Sequence, residues 1–237
     1  MIFIHGILEG PYQFHGLAEK ILDQGMSSFG ILLPGHGGSA REFAKSHRKQ
    51  WIKYVNCQIE EISKKYPQII LVGHSMGTIL SLLVCEKHEA VVGVVCLATP
   101  LSVKVSLKGF VCSLKVLTGH YSQDDEYVLA SYRAWSISKG TWGDYLKCIP
   151  RYLDLFHLIY ETKKQLPMIK KPLLFIHCQC DEFVRNRTTK ILKKKLTGDN
   201  YELIELCKSG HFYYRGDESQ TLEQAILKFV TQFKVDN

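Results

Sequence analysis

No stretch of this chain approaches the ~18 uninterrupted apolar residues that a membrane span requires, so the sequence offers no transmembrane helix. Internal repeats and low-complexity tracts are missing as well, as is any break in composition that would mark a linker. One domain over residues 1–237 is therefore expected. The opening MIFIHGILEG is apolar, yet it lacks a basic leader, a long enough apolar segment and a small-residue cleavage site, and does not read as a signal peptide. There is no G-x-x-x-x-G-K-[ST] loop and no Rossmann glycine pattern, which leaves a nucleotide cofactor without support. Zinc-site spacing is missing too: Cys178-Gln179-Cys180 has no second cysteine or histidine pair to complete it. Neither a cofactor nor a metal is expected.

What is present is the balance of an ordinary globular protein with a sizeable core, 46% hydrophobic and 22% charged. The net charge of +7 raises the question of nucleic acid. Its best support, Lys193-Lys194-Lys195 and Lys170-Lys171, flanks predicted helices and strands as solvated faces with no interleaved aromatics, so no nucleic-acid partner is expected. Of the eight cysteines, Cys57, Cys85, Cys96 and Cys207 fall inside predicted elements, and a chain of this size needs no disulfide staples. They are read as reduced, core-type residues of a cytoplasmic protein.

Short apolar runs recur along the chain at 2–5, 29–33, 69–73, 91–98, 172–178 and 201–206, separated by stretches with helical periodicity. This alternation predicts an α/β protein with a mainly parallel sheet of about six strands covered on both faces. Right-handed crossovers then bring every loop that follows a strand to one edge of the sheet, where chemistry is expected. Trp51, Ile52, Val55, Ile59 and Ile62 trace one buried helical stripe, and Leu222, Ala225, Ile226, Phe229 and Phe233 trace another. Between about residues 101 and 170 the alternation stops. Leu101, Val103, Val105 and Leu107 suggest a small extended excursion, and the helical stretches that follow carry Tyr127, Tyr132, Trp135, Trp142, Tyr145, Tyr152 and Phe156. An insertion at that edge is a candidate cap, and its aromatic and aliphatic residues are expected to roof a pocket there.

The sharpest local signal is Gly73-His74-Ser75-Met76-Gly77, directly after one predicted strand and directly before a helix-like stretch. A serine on so tight a turn needs small flanking residues, and the turn exposes its Oγ above the sheet. A nucleophilic serine needs a base and the base an orienting acid. His211 lies in the loop after the last strand and Asp181 just past the strand at 172–178, so the order Ser, Asp, His fits this arrangement. Glu182 is the alternative acid. His74 is expected to point away from the Ser75 hydroxyl. Backbone N–H groups of Ile7 and Met76 are the candidate oxyanion donors.

With these residues in place the chain resembles the small bacterial carboxylesterases and monoacylglycerol lipases of the α/β-hydrolase superfamily. The resemblance runs through Phe3-Ile4-His5-Gly6, Pro34-Gly35-His36-Gly37-Gly38-Ser39, the elbow at 73–77, Asp181-Glu182-Phe183-Val184 and Ser209-Gly210-His211. It implies an α/β-hydrolase fold and a serine hydrolase that cleaves short to medium acyl monoesters through an acyl-enzyme. The expected partner is a small-molecule ester, without stable membrane insertion. Acyl transfer or amide hydrolysis by the same triad, or a ligand receptor that keeps the triad without turnover, are the alternatives. Glu9 departs from the pattern by placing a carboxylate near the oxyanion loop, where its side chain either faces solvent or bears on the substrate preference.

Overall fold

The computed structural model describes residues 1–138 and 140–233. The six apolar runs become six strands: β1 (Ile2–Ile4), β2 (Phe29–Ile31), β3 (Ile69–His74), β4 (Val91–Leu97), β5 (Leu173–Cys178) and β6 (Tyr201–Leu206). They form one sheet in the order β2-β1-β3-β4-β5-β6, and every pairing is parallel. β3 and β5 are buried at each position, which is why they read as unbroken apolar runs. β6 lies at the sheet's edge and carries Glu202 and Glu205 among its apolar residues.

The helices are α1 (His15–Asp23), α2 (Ala40–Lys45), α3 (Arg48–Ser63), α4 (Met76–Val84), α5 (Leu107–Thr118), α6 (Glu126–Ala134), α7 (Trp142–Lys147), α8 (Ile149–Gln165), α9 (Arg187–Lys195) and α10 (Asp217–Thr231). Successive strand side chains point to opposite faces, so each strand feeds two cores. Ile69 and Leu71 join Trp51, Val55 and Ile59 of α3, Ile79 and Leu80 of α4 and Leu158 of α8. Ile70 and Val72 turn the other way, to Ile21 of α1 and to Leu222, Ile226 and Phe229 of α10. Both predicted helical stripes are thus the inner faces of helices that sandwich the sheet.

The chain starts inside the sheet at β1, runs outward to β2 at the edge, and returns to the other side of β1 as β3. At such a reversal the loops leaving the two neighbouring strands diverge and open a crevice at their C-terminal ends. Here those are the loops after β1 and β3, which carry Ile7 and Ser75.

The segment between β4 and β5 folds as α5 to α8, with α8 packed on α3 and α4. The extended excursion expected at its start amounts to one bridge, Val103 with Val184, because Ser106 accepts a hydrogen bond from Gly109 N and starts α5 at Leu107. A second antiparallel bridge joins Glu9 to Trp135. It is extended by Gly10 N donating to Ala134 O (2.8 Å) and Ser136 N to Leu8 O (2.9 Å). The aromatics of this segment divide. Tyr127 and Trp135 turn inward, whereas Trp142 is 80% exposed and Tyr132, Tyr152 and Phe156 also face solvent. All eight cysteines are free; Cys57, Cys180 and Cys207 are exposed rather than part of the core. Among the described residues no helix is long and apolar enough to cross a membrane.

Candidate active site

Ser75 sits between β3 and α4 with φ 51° and ψ −120°, a left-handed conformation that an L-residue holds only when its surroundings enforce it. The flanking glycines show what enforces it. A Cβ on Gly73 would lie 2.4 Å from Thr78 N, and one on Gly77 only 1.9 Å from the carbonyl oxygen of Ile4. Strand, turn and helix are pressed together at this point, and the first turn of α4 rests against the end of β1. Met76 opens α4, so its N–H is among those a helix leaves without an internal partner. A Cβ on Gly77 would also lie 2.9 Å from the His5 carbonyl oxygen, so the start of the loop that carries Ile7 adjoins the first turn of α4.

Opposite the elbow, His211 Nδ1 lies 2.7 Å from Asp181 Oδ2. The other carboxylate oxygen of Asp181 accepts from Phe183 N (2.8 Å) and Val184 N (2.7 Å), so the turn after β5 fixes this side chain. Burial pushes the Asp181 carboxyl up, but the charge of His211 and the hydrogen bonds from His211, Val184 and Phe183 outweigh it, and the net direction is down. For His211, burial pushes down, while Asp181, its hydrogen bond, and the charges of Glu9 and Glu182 prevail and carry it above the ordinary histidine range. Glu182 takes a different position. Its Oε2 accepts the main-chain N–H of His211 at 3.0 Å, and its Oε1 accepts from Lys108 on α5 at 2.8 Å. Asp181 therefore meets the ring and Glu182 the backbone.

The hydrogen bonds of His211 run to Asp181, Glu182 and His74, and none to Ser75. Bonds between nucleophile and base are often long before substrate binds. Ser75 and His211 are both nearly enclosed, and the rings of Phe183 and Phe212 stand edge-on to His211 at 5.1 and 4.7 Å. His74 packs against the His211 ring at 4.8 Å and places Nε2 2.9 Å from the His211 carbonyl.

Glu9 does not face solvent. It is 2% exposed and folds back over its own loop, its Oε2 accepting from Gly6 N (2.6 Å) and Gln13 Nε2 (2.8 Å) and lying 2.8 Å from His74 Nδ1. The signal that could have found it is its setting: one carboxylate in the apolar stretch His5-Gly6-Ile7-Leu8, where solvation is poor.

The pattern of a protein family described as serine aminopeptidase, S33 matches residues 1–135, more than half of the chain. The chain belongs to this family. Consistent with membership of S33, the chain is 21% identical over 217 residues to a thermostable monoacylglycerol lipase of Bacillus sp. (strain H-257), covering 89% of this chain and 82% of the relative. Among solved structures, a monoacylglycerol lipase of Paleococcus ferrophilus superposes with a TM-score of 0.71 at 18% identity over 98% of this chain and 94% of its own. A soluble variant of monoglyceride lipase from Saccharomyces cerevisiae, solved with a substrate analogue, gives 0.72 at 15% identity over 100% and 87%. These structural likenesses establish the α/β-hydrolase fold.

Among the described residues of this S33 member, one group of three potential metal ligands comes together: Glu9, His74 and His211, whose ligand atoms lie within 4.8 Å of one another. Both nitrogens of His74 already face hydrogen-bond partners, and His211 Nδ1 is held by Asp181. The donor set is arranged as a hydrogen-bond network rather than as an open coordination sphere.

Proposed function

We propose that this protein hydrolyses carboxylic esters through an acyl-enzyme, with Ser75 as nucleophile, His211 as general base and Asp181 as the acid that orients it. The observation that carries the reading is the 2.7 Å contact between His211 Nδ1 and an Asp181 carboxylate whose other oxygen is held by two backbone donors. It keeps the proton on Nδ1 and leaves Nε2 free to accept one. Ser75 Oγ attacks the ester carbonyl as Nε2 takes its proton. The oxygen that becomes negative faces the N–H groups of Ile7 and Met76, the latter at the positive end of α4. Collapse expels the alcohol, protonated by His211, and water repeats the sequence on the acyl-enzyme.

The monoacylglycerol lipases among the relatives support monoesters as substrates, with short to medium acyl chains our proposal, and the aminopeptidase in the family's description keeps amides as the competing class. The α5–α6 part of the candidate cap is the roof: Gly109 of α5 lies against Phe183 and Glu182, and Tyr127 of α6 lies against Gly210. Free cysteines fit a cytoplasmic setting. The test is Ser75→Ala together with a fluorophosphonate probe. Stoichiometric labelling of the native protein at Ser75, multiple turnover on an aryl ester, and a loss of at least about 10⁴-fold in kcat for the variant are expected. Labelling without turnover would point to a receptor, and near-normal turnover by the variant would remove Ser75 from the mechanism.

A further inference from the structure

The Glu9–His74 pair takes no part in bond making, yet it joins three pieces of the site. Through Gly6 N it holds the loop that carries the Ile7 donor, through His74 it belongs to the elbow, and through the His211 carbonyl it reaches the histidine loop. Gly6 makes this possible, because a Cβ there would stand 2.2 Å from Glu9 Oε1. The hydrogen bonds also fix a proton count. The His211 carbonyl can only accept, so His74 Nε2 must carry hydrogen. A neutral ring would then aim the lone pair of Nδ1 at the Glu9 oxygen 2.8 Å away, which is untenable in a buried site. A proton therefore lies between them. The Glu9 oxygen already accepts two N–H donors, from Gly6 and Gln13, an arrangement that favours the ionised carboxylate and places the proton on the ring. Burial pushes the Glu9 carboxyl up, but the charge and hydrogen bond of His74 outweigh it, and the net direction is down. Among the described residues, the other titratable groups within electrostatic reach of the pair are His5, His36, His211 and Tyr214.

We infer that Glu9 and His74 are positioning residues for the hydrolytic reaction: a buried carboxylate–imidazolium pair that locks the oxyanion loop and the His211 backbone to the nucleophile elbow. Its catalytic consequence rests on the reading of Ser75 and His211 given above; its protonation does not.

The test uses the full chain labelled with ¹⁵N. The ring of His74, assigned by its loss in His74→Gln, should show both nitrogens protonated at pH 7.5. A neutral-imidazole pattern at that pH overturns the inference, and this measurement needs no active enzyme. Glu9→Gln keeps an acceptor for Gly6 N but removes the charge, so the His74 signal should become neutral. In that variant kcat should fall about 10- to 100-fold, as a displacement of the order of 1 Å can cause, with KM within about twofold. A neutral ring with kcat unchanged would show that the pair positions nothing. A native protein that neither labels nor turns over would instead sink the esterase reading, while the ring signal still decides the pair.

Discussion

Replacing Asp181 with asparagine separates charge and tautomer from shape. The turn after β5 offers two N–H donors, Phe183 N and Val184 N, both within 2.8 Å of Asp181 Oδ1. In Asp181→Asn the amide oxygen is drawn to these donors, so the NH₂ group must face His211 Nδ1. The ring can accept there only by moving its own hydrogen to Nε2, the position that must take the proton from Ser75. The variant thus keeps the fold and disables the base. The analogous exchange in another triad costs about 10⁴-fold, equivalent to roughly 5.5 kcal/mol in the barrier, and a loss of that order in kcat is expected. Thermal unfolding should be nearly unchanged for asparagine but clearly lowered for Asp181→Ala, which leaves both backbone donors unpaired at about 1–3 kcal/mol each. Steady-state hydrolysis of an aryl ester beside a melting curve measures both. Glu182→Gln is the control, because its amide oxygen can still accept from His211 N, and it should lose far less. Activity within tenfold of native in Asp181→Asn, or a crippled Glu182→Gln, would refute the reasoning.

Activity should rise with pH as His211 loses its proton. Since the net effect of its surroundings raises the His211 pKa, the midpoint in kcat/KM should lie above the ordinary value of about 6.5; a midpoint below it would contradict the site's electrostatics. Gly77→Ala should destabilise by roughly 2–4 kcal/mol in denaturant titration, because its Cβ would meet the Ile4 carbonyl at 1.9 Å and cannot be relieved by a flexible side chain; an unchanged midpoint would refute that packing. Acyl preference should climb from acetyl to medium chains, each buried methylene adding up to about 0.8 kcal/mol, or three- to fourfold in kcat/KM. A flat series from acetyl to octanoyl would rule out an apolar acyl channel.

The sheet was legible because β3 and β5 are buried on both sides, which leaves unbroken apolar runs that few other settings tolerate. The elbow was legible because close packing at Gly73 and Gly77 admits no side chain. The sequence favoured Asp181 over the adjacent Glu182 because it comes first after its strand; which one meets the ring depends on the turn whose N–H groups hold Asp181. Glu9 was noticed but its placement was not legible, because its burial depends on His74, far along the chain. The orientation of the insertion's aromatics was illegible for a related reason. Composition shows that Trp142 and Phe156 are apolar but not which way they face, and both look outward. On α5 the apolar Leu107, Phe110, Val111 and Leu114 face outward as well, at the spacing of a buried stripe.

The bridge between Glu9 and Trp135, with its flanking bonds from Gly10 and Ser136, bears on how such proteins exchange parts. An insertion attached only at its two ends could be traded wholesale, and a new specificity acquired with it. Here the inserted segment also lends backbone partners to the loop proposed to carry an oxyanion donor. A chimaera that imports a foreign insertion must bring a strand-like stretch able to pair with Leu8–Gly10. Without it, the graft would alter the rate of the chemistry along with the choice of substrate.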